Sequence, residues 1–140
     1  MNLQFLKQIP LFSKLDEKDA KIVLDAFNLT KFKKGDIVIR QGDEGFGMYV
    51  IVAGKVDVEI DEKKVASLGE DDFFGEMALV SDEARSATIK VISEDLVTLF
   101  LPKGIFRGIK KSLSEEVKNE IINRSIKKYG PNFRAPFKFF

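Results

Sequence analysis

Between Thr30 and Leu101 the apolar residues tend to alternate with polar ones, in short runs that glycine and aspartate keep interrupting. The runs are Asp36–Arg40, Met48–Val52, Lys55–Ile60, Lys64–Leu68, Ala87–Ile92 and Leu96–Leu101. A period of two puts alternate side chains on one face of an extended chain, a pattern no helix keeps on one side. Several such runs, spaced by about ten residues, predict a small all-β barrel or jelly roll with a shared interior.

The period changes at both ends. Upstream, Leu3, Leu6, Ile9 and Leu11 precede Asp16-Glu17-Lys18-Asp19, and Ile22, Val23, Ala26 and Phe27 then recur at helical spacing. Ser13-Lys14-Leu15-Asp16 has the form of a capping box with Asp in place of Glu, so Ser13 is the expected helix start. Past Pro102, Ile105, Phe106 and Ile109 predict a short helix. A longer one, capped by Ser112 or Ser114, carries Val117, Ile121, Ile122 and Ile126 on one stripe. Gly130-Pro131 ends it, and PNFRAPFKFF reads as an aromatic, basic arm outside the core.

What the chain lacks narrows its chemistry. It has no Cys, hence no disulfide, thiolate nucleophile or Cys-based metal site, and the expected compartment is the cytoplasm. It has no His, so Ser–His–Asp machinery, histidine metal sites and imidazole bases are all absent. An enzyme is not expected, nor a cofactor or a metal. No apolar run approaches the ~20 residues of a membrane helix, and no signal peptide is read at the start. Charge is distributed unevenly: residues 1–102 hold 13 Lys/Arg against 19 Asp/Glu, whereas 103–140 hold 10 against 3. The basic end reads as a solvated helix face or as a contact for an anionic ligand or for the acidic body of the chain.

One stretch breaks the alternation: Phe73 to Thr88, FFGEMALVSDEARSAT. A short helix starting at Gly75 would present unpaired backbone N–H groups and a positive dipole end, which suit an anion. Gly75, Ala78 and Ala87 leave room for a ligand, and Arg85 supplies a guanidinium able to grip a phosphate through two parallel bonds. Glu76 beside a phosphate needs a donor of its own, which a ribose hydroxyl provides. The residues describe a sugar-phosphate site inside a β-barrel. The glycine-rich Gly42–Gly47 stretch, GDEGFG, is no dinucleotide fingerprint, since its last glycine comes one position early and no helical pattern follows. No phosphate role is expected there.

Phe74-Gly75-Glu76-Met77-Ala78-Leu79, followed by Arg85-Ser86-Ala87-Thr88, resembles the phosphate-binding cassette of cyclic nucleotide-binding domains, with the nine-residue Glu-to-Arg spacing of its common form. The resemblance takes in Lys34-Gly35-Asp36, Gln41-Gly42-Asp43, Met48-Tyr49-Val50-Ile51, Ala53-Gly54-Lys55-Val56 and, upstream, Ile9-Pro10-Leu11-Phe12. It implies a mainly β fold: an eight-stranded jelly roll over about 31–102, an N-terminal helical bundle over about 1–30, and two C-terminal helices forming hinge and lid over about 103–129. The implied domain covers 1–130, with the arm at 131–140.

The resemblance also implies function and site. The expected ligand is cAMP, with cGMP as the other candidate. Glu76 would accept the ribose 2′-OH and Arg85 would hold the cyclic phosphate. The backbone of Gly75, Met77, Ala78 and Ala87, with the Ser86 hydroxyl, would complete the phosphate shell. Leu79 would move against an apolar residue of the first C-terminal helix, for which the candidate is Phe106. Ile121, Arg124, Lys127 and Lys128 are candidates to cap the base. The sequence departs from the family at Asp71, where a glycine is usual, and at Ala84, where a proline often precedes the arginine. No helix-turn-helix follows residue 101, so direct DNA binding is not expected; an effector protein and a homodimer through the C-terminal helix are. Two other readings stay open: a structural or interaction module without nucleotide, and an Arg85 paired with Glu76 that holds the cassette shut.

Overall fold

A computed structural model describes residues 1–109 of the chain. The lid-helix residues Ile121, Arg124, Lys127 and Lys128, the caps Ser112 and Ser114, and the arm 131–140 lie outside the described residues. The chain begins with α1 (Leu3–Leu6), a 3-10 turn at Pro10–Phe12 and α2 (Glu17–Ala26). Eight strands follow: β1 (Asn28–Lys33), β2 (Ile37–Ile39), β3 (Gly47–Ala53), β4 (Val56–Ile60), β5 (Lys63–Leu68), β6 (Phe73–Phe74), β7 (Thr88–Val91) and β8 (Asp95–Pro102). A 3-10 turn at Glu76–Leu79 separates β6 from β7, and α3 (Lys103–Ile109) continues directly from β8. Among the described residues no helix is long and apolar enough to cross a membrane.

Helix α2 starts three residues later than the capping-box pattern implies. Its cap is Asp16, whose side chain accepts from Asp19 N at 2.8 Å. The preceding residues are already committed. Phe12 N donates to Ile9 O at 2.9 Å and Leu15 N to Phe12 O at 3.2 Å, so this stretch is a turn that anchors Ile9, Leu11, Phe12 and Leu15 in the core. The helix begins at the next side chain able to take a free amide, with Glu17 and Asp19 favourably placed in its first turn.

The strands form two four-stranded antiparallel sheets, ordered β1-β8-β3-β6 and β2-β7-β4-β5. They face each other as a jelly roll. Ile51, Phe74 and Leu96 from the first sheet meet Ile39, Val56, Val58, Leu68, Ile89 and Val91 from the second in one buried cluster, which Ala87 joins from the turn before β7. Period two explains the other face of the first sheet. Met48 and Val50 point opposite to Tyr49 and Ile51, and with Leu101 they join a second cluster made by Leu6, Ile9, Phe12, Leu15, Val23 and Phe106. The helical segments at both ends of the barrel thus cover one sheet from outside. Phe12 and Phe106 meet edge to face with centroids 5.6 Å apart, each 1% exposed or less. Burying such a ring contributes about 1.5–3 kcal/mol.

Candidate phosphate site

Strand β6 stops because Gly75 takes φ +80°, a left-handed conformation that most side chains disfavour. Space demands glycine as well: a Cβ there would sit 2.8 Å from Arg85 Nη1 and 3.1 Å from Gly47 O. The turn that follows closes through Ala78 N to Gly75 O at 3.2 Å and Ser81 N to Met77 O at 2.8 Å. All four of its residues are buried: Glu76 at 1%, Met77 and Ala78 at 4%, Leu79 at 0%. Met77 and Leu79 enter the helix-side cluster together with Phe106, so the structure brings the expected coupling pair into one apolar body. The expected short helix does start at Gly75, but as a four-residue 3-10 turn, too short for a sizeable dipole. Any hold on an anion must come from single N–H groups and from Arg85.

Arg85 is fixed at both ends. Its backbone N donates to Asp43 O at 2.8 Å, and its carbonyl accepts from Gly42 N at 2.7 Å. Its side chain is buried, donating from Nη1 to Gly75 O at 2.9 Å and from Nη2 to Gly47 O at 2.6 Å. Burial pushes the guanidinium pKa down to about 10, with the nearby Tyr49 phenol acting the other way. It remains a cation at neutral pH. Two of its N–H groups are thus taken by backbone carbonyls. Burying a charge is costly, and two carbonyls offset only part of that cost.

The Gly42–Gly47 loop is part of this site, which the sequence pattern did not indicate. Gly45 lies against the arginine: a Cβ there would meet Ala78 Cβ at 2.9 Å and Arg85 Cζ at 3.0 Å. Beside the guanidinium lies a cavity of about 290 Å³, lined by Val38, Ile39, Arg40, Asp43, Glu44, Phe46, Tyr49 and Arg85. Of the expected site residues only Arg85 lines it. Phe46 stands at its edge, 61% exposed. The one available signal was the density of glycines, three within six residues, more than turn-making alone requires. Of the remaining expected residues, Ala87 is fully buried in the barrel cluster. Ser86 Oγ is buried without a hydrogen-bond partner among the described residues.

A family model described as the cyclic nucleotide-binding domain matches residues 29–112. The chain belongs to that family. Two curated relatives show the range. A cGMP-dependent protein kinase of Plasmodium berghei is 33% identical over 104 residues, which is 74% of this chain and 12% of that protein. A cAMP-dependent protein kinase regulatory subunit of Debaryomyces hansenii is 41% identical over 100 residues, 71% of this chain and 22% of that protein. The domain therefore spans less than a quarter of either relative's length. Among solved structures, the regulatory domain of Toxoplasma gondii protein kinase A with cAMP superposes with TM-score 0.71 at 29% identity, over 86% of this chain and 46% of that one. The regulatory subunit of a cAMP-independent protein kinase A from Trypanosoma cruzi, bound to guanosine, gives TM-score 0.71 at 28% identity, over 89% and 42%.

Proposed function

We propose that this cyclic nucleotide-binding domain is a sensor that takes up cAMP at least as tightly as cGMP and does no chemistry on it. The observation that carries the reading is Arg85, a buried cation seated by two backbone carbonyls at the wall of a cavity. A cyclic phosphate is an anion that such a guanidinium can hold through charge-assisted bonds. In this reading Arg85 holds the phosphate, and Glu76 accepts the ribose 2′-OH. The amides of Gly75, Met77, Ala78 and Ala87 and the Ser86 hydroxyl surround the phosphate; the orphaned Ser86 Oγ supports its part. The Ser86 hydroxyl suits either ligand, since it can reach phosphate or a guanine amino group, and no other residue is a clear guanine reader, so cAMP is placed at least level with cGMP. The proposed unit runs over residues 1–130, with base-capping residues on the segment after α3. Its effector is a protein kinase catalytic subunit, the class of protein that the relatives' names point to.

Calorimetric titration of the chain with cAMP, cGMP and a cyclic dinucleotide tests the proposal. Binding of cAMP with equal or greater affinity than cGMP is the expected result, and silence toward all three overturns it. Guanosine belongs in the same series because a structural relative holds it. It should bind more weakly here, since a nucleoside without phosphate leaves the Arg85 charge unanswered.

A further inference from the structure

We propose that Arg107 is a positioning residue for nucleotide binding, tying α3 to the carbonyl side of the Glu76–Leu79 turn. Its guanidinium makes a fan of contacts onto one short segment. Nη2 donates to Ala78 O at 2.9 Å and to Ser81 O at 3.1 Å, Nε reaches Leu79 O at 3.4 Å, and Nη1 meets Asp82 Oδ1 at 2.8 Å. The amides of Ala78, Val80 and Ser81 close on Gly75 O and Met77 O, so Arg107 serves carbonyls that those bonds leave out. The same face of α3 holds the other half of the site. Lys103, one helical turn earlier, donates its backbone N to Phe46 O at 2.9 Å, and its ammonium lies 5.7 Å from the Phe46 ring centroid. The neighbouring Gly47 carbonyl takes Arg85 Nη2. A single seven-residue helix thus grips both the loop that seats the phosphate arginine and the turn that carries Glu76.

The carbonyl bonds, not the ion pair, carry this tie. Asp82 is 81% exposed at its side chain, and exposed pairs contribute little. Lysine in place of Arg107 keeps the charge but loses the planar fork.

The test combines amide exchange on the ligand-free chain with cAMP titration, for Arg107→Ala, Arg107→Lys and Asp82→Asn. Arg107→Ala should speed exchange at Ala78, Val80 and Ser81 about tenfold and weaken cAMP by a similar factor, leaving Val56–Ile60 protected. Arg107→Lys should recover less than half of either effect, and Asp82→Asn should stay within about twofold of wild type. Unchanged exchange in Arg107→Ala overturns the proposal, as does an Asp82→Asn loss equal to that of Arg107→Ala. Should Arg107→Ala fail to fold, Arg107→Lys carries the same comparison against Asp82→Asn. The affinity arm rests on the nucleotide-binding reading, whereas the exchange arm does not. A wild-type chain that binds no cyclic nucleotide sinks that reading and still leaves exchange to decide on the tie.

Discussion

Arg85 is buried with donors to spare, since a guanidinium carries five N–H groups and two of them reach the Gly75 and Gly47 carbonyls. Replacing it tests geometry and charge separately. Arg85→Lys should lose roughly 1.5–3 kcal/mol of cAMP affinity because one ammonium cannot serve carbonyls and phosphate together, and Arg85→Glu should abolish binding by calorimetry. Glu76 calls for a different comparison. If it accepts the ribose 2′-OH, then Glu76→Ala should weaken cAMP but hardly affect 2′-deoxy-cAMP, whose hydroxyl is already gone; additive losses would refute that role. The pH dependence follows from the same pair of facts. With no histidine in the chain and the Arg85 cation persisting up to about 10, affinity should be flat from about pH 6 to 9. It should fall as pH rises through about 10, because the proposed phosphate grip needs the protonated form. A bell centred near neutrality would point to another group.

Gly45 and Gly47, two residues apart, make unequal demands on their surroundings. At Gly47, the start of β3, a Cβ would lie 2.1 Å from the Leu101 carbonyl, inside the β3–β8 ladder. At Gly45 it would press on side-chain atoms only, Ala78 Cβ and the Arg85 guanidinium, so the strain falls on the site and not on the ladder. Gly47→Ala should therefore lower the melting temperature steeply, while Gly45→Ala should keep most of the stability and lose ligand affinity. Thermal scans paired with titration separate the two. The element scale also shows why the sequence was only partly legible. Six strands announce themselves by period two. In β1, Leu29 is 61% exposed and the inward positions are Thr30 and Phe32, so no apolar alternation marks its start. β6 is two residues long and exists because Tyr49 and Val50 pair with it. The cassette residues are legible because Gly, Glu and Arg at fixed spacing have few other uses together. Their support is not, because Arg85 is seated by carbonyls of Gly47 and Gly75, and a carbonyl has no letter of its own. Arg107 is hidden for a similar reason, as one cation in a stretch rich in them.

At the scale of the whole molecule, the first sheet is a wall with a core on each side, and the Glu76–Leu79 turn touches both. Phe74 and Ala87 flank it in the barrel interior, whereas Met77 and Leu79 sit among the helices. Ligand that orders the turn should therefore stabilise the entire described unit. Saturating cAMP, at about 100-fold over Kd, should add ~2.7 kcal/mol and raise the melting temperature of helices and strands together. Circular dichroism at a helical and a β-sensitive wavelength reads this, and a rise in only one signal would contradict it. The pairing of β1 with β8 adds a mechanical consequence. Asn28 stands opposite Phe100, so the chain enters and leaves the barrel at the same end of one ladder. Tension between α2 and α3 would part that ladder pair by pair, like a zipper, instead of shearing all its bonds at once. The adjoining rung on the other side of β8 pairs Pro102 with Gly47, whose carbonyl holds Arg85. A tug on α3 is thus felt at Arg85 across one rung, and on the proposed reading an anion clamped there would resist the tug.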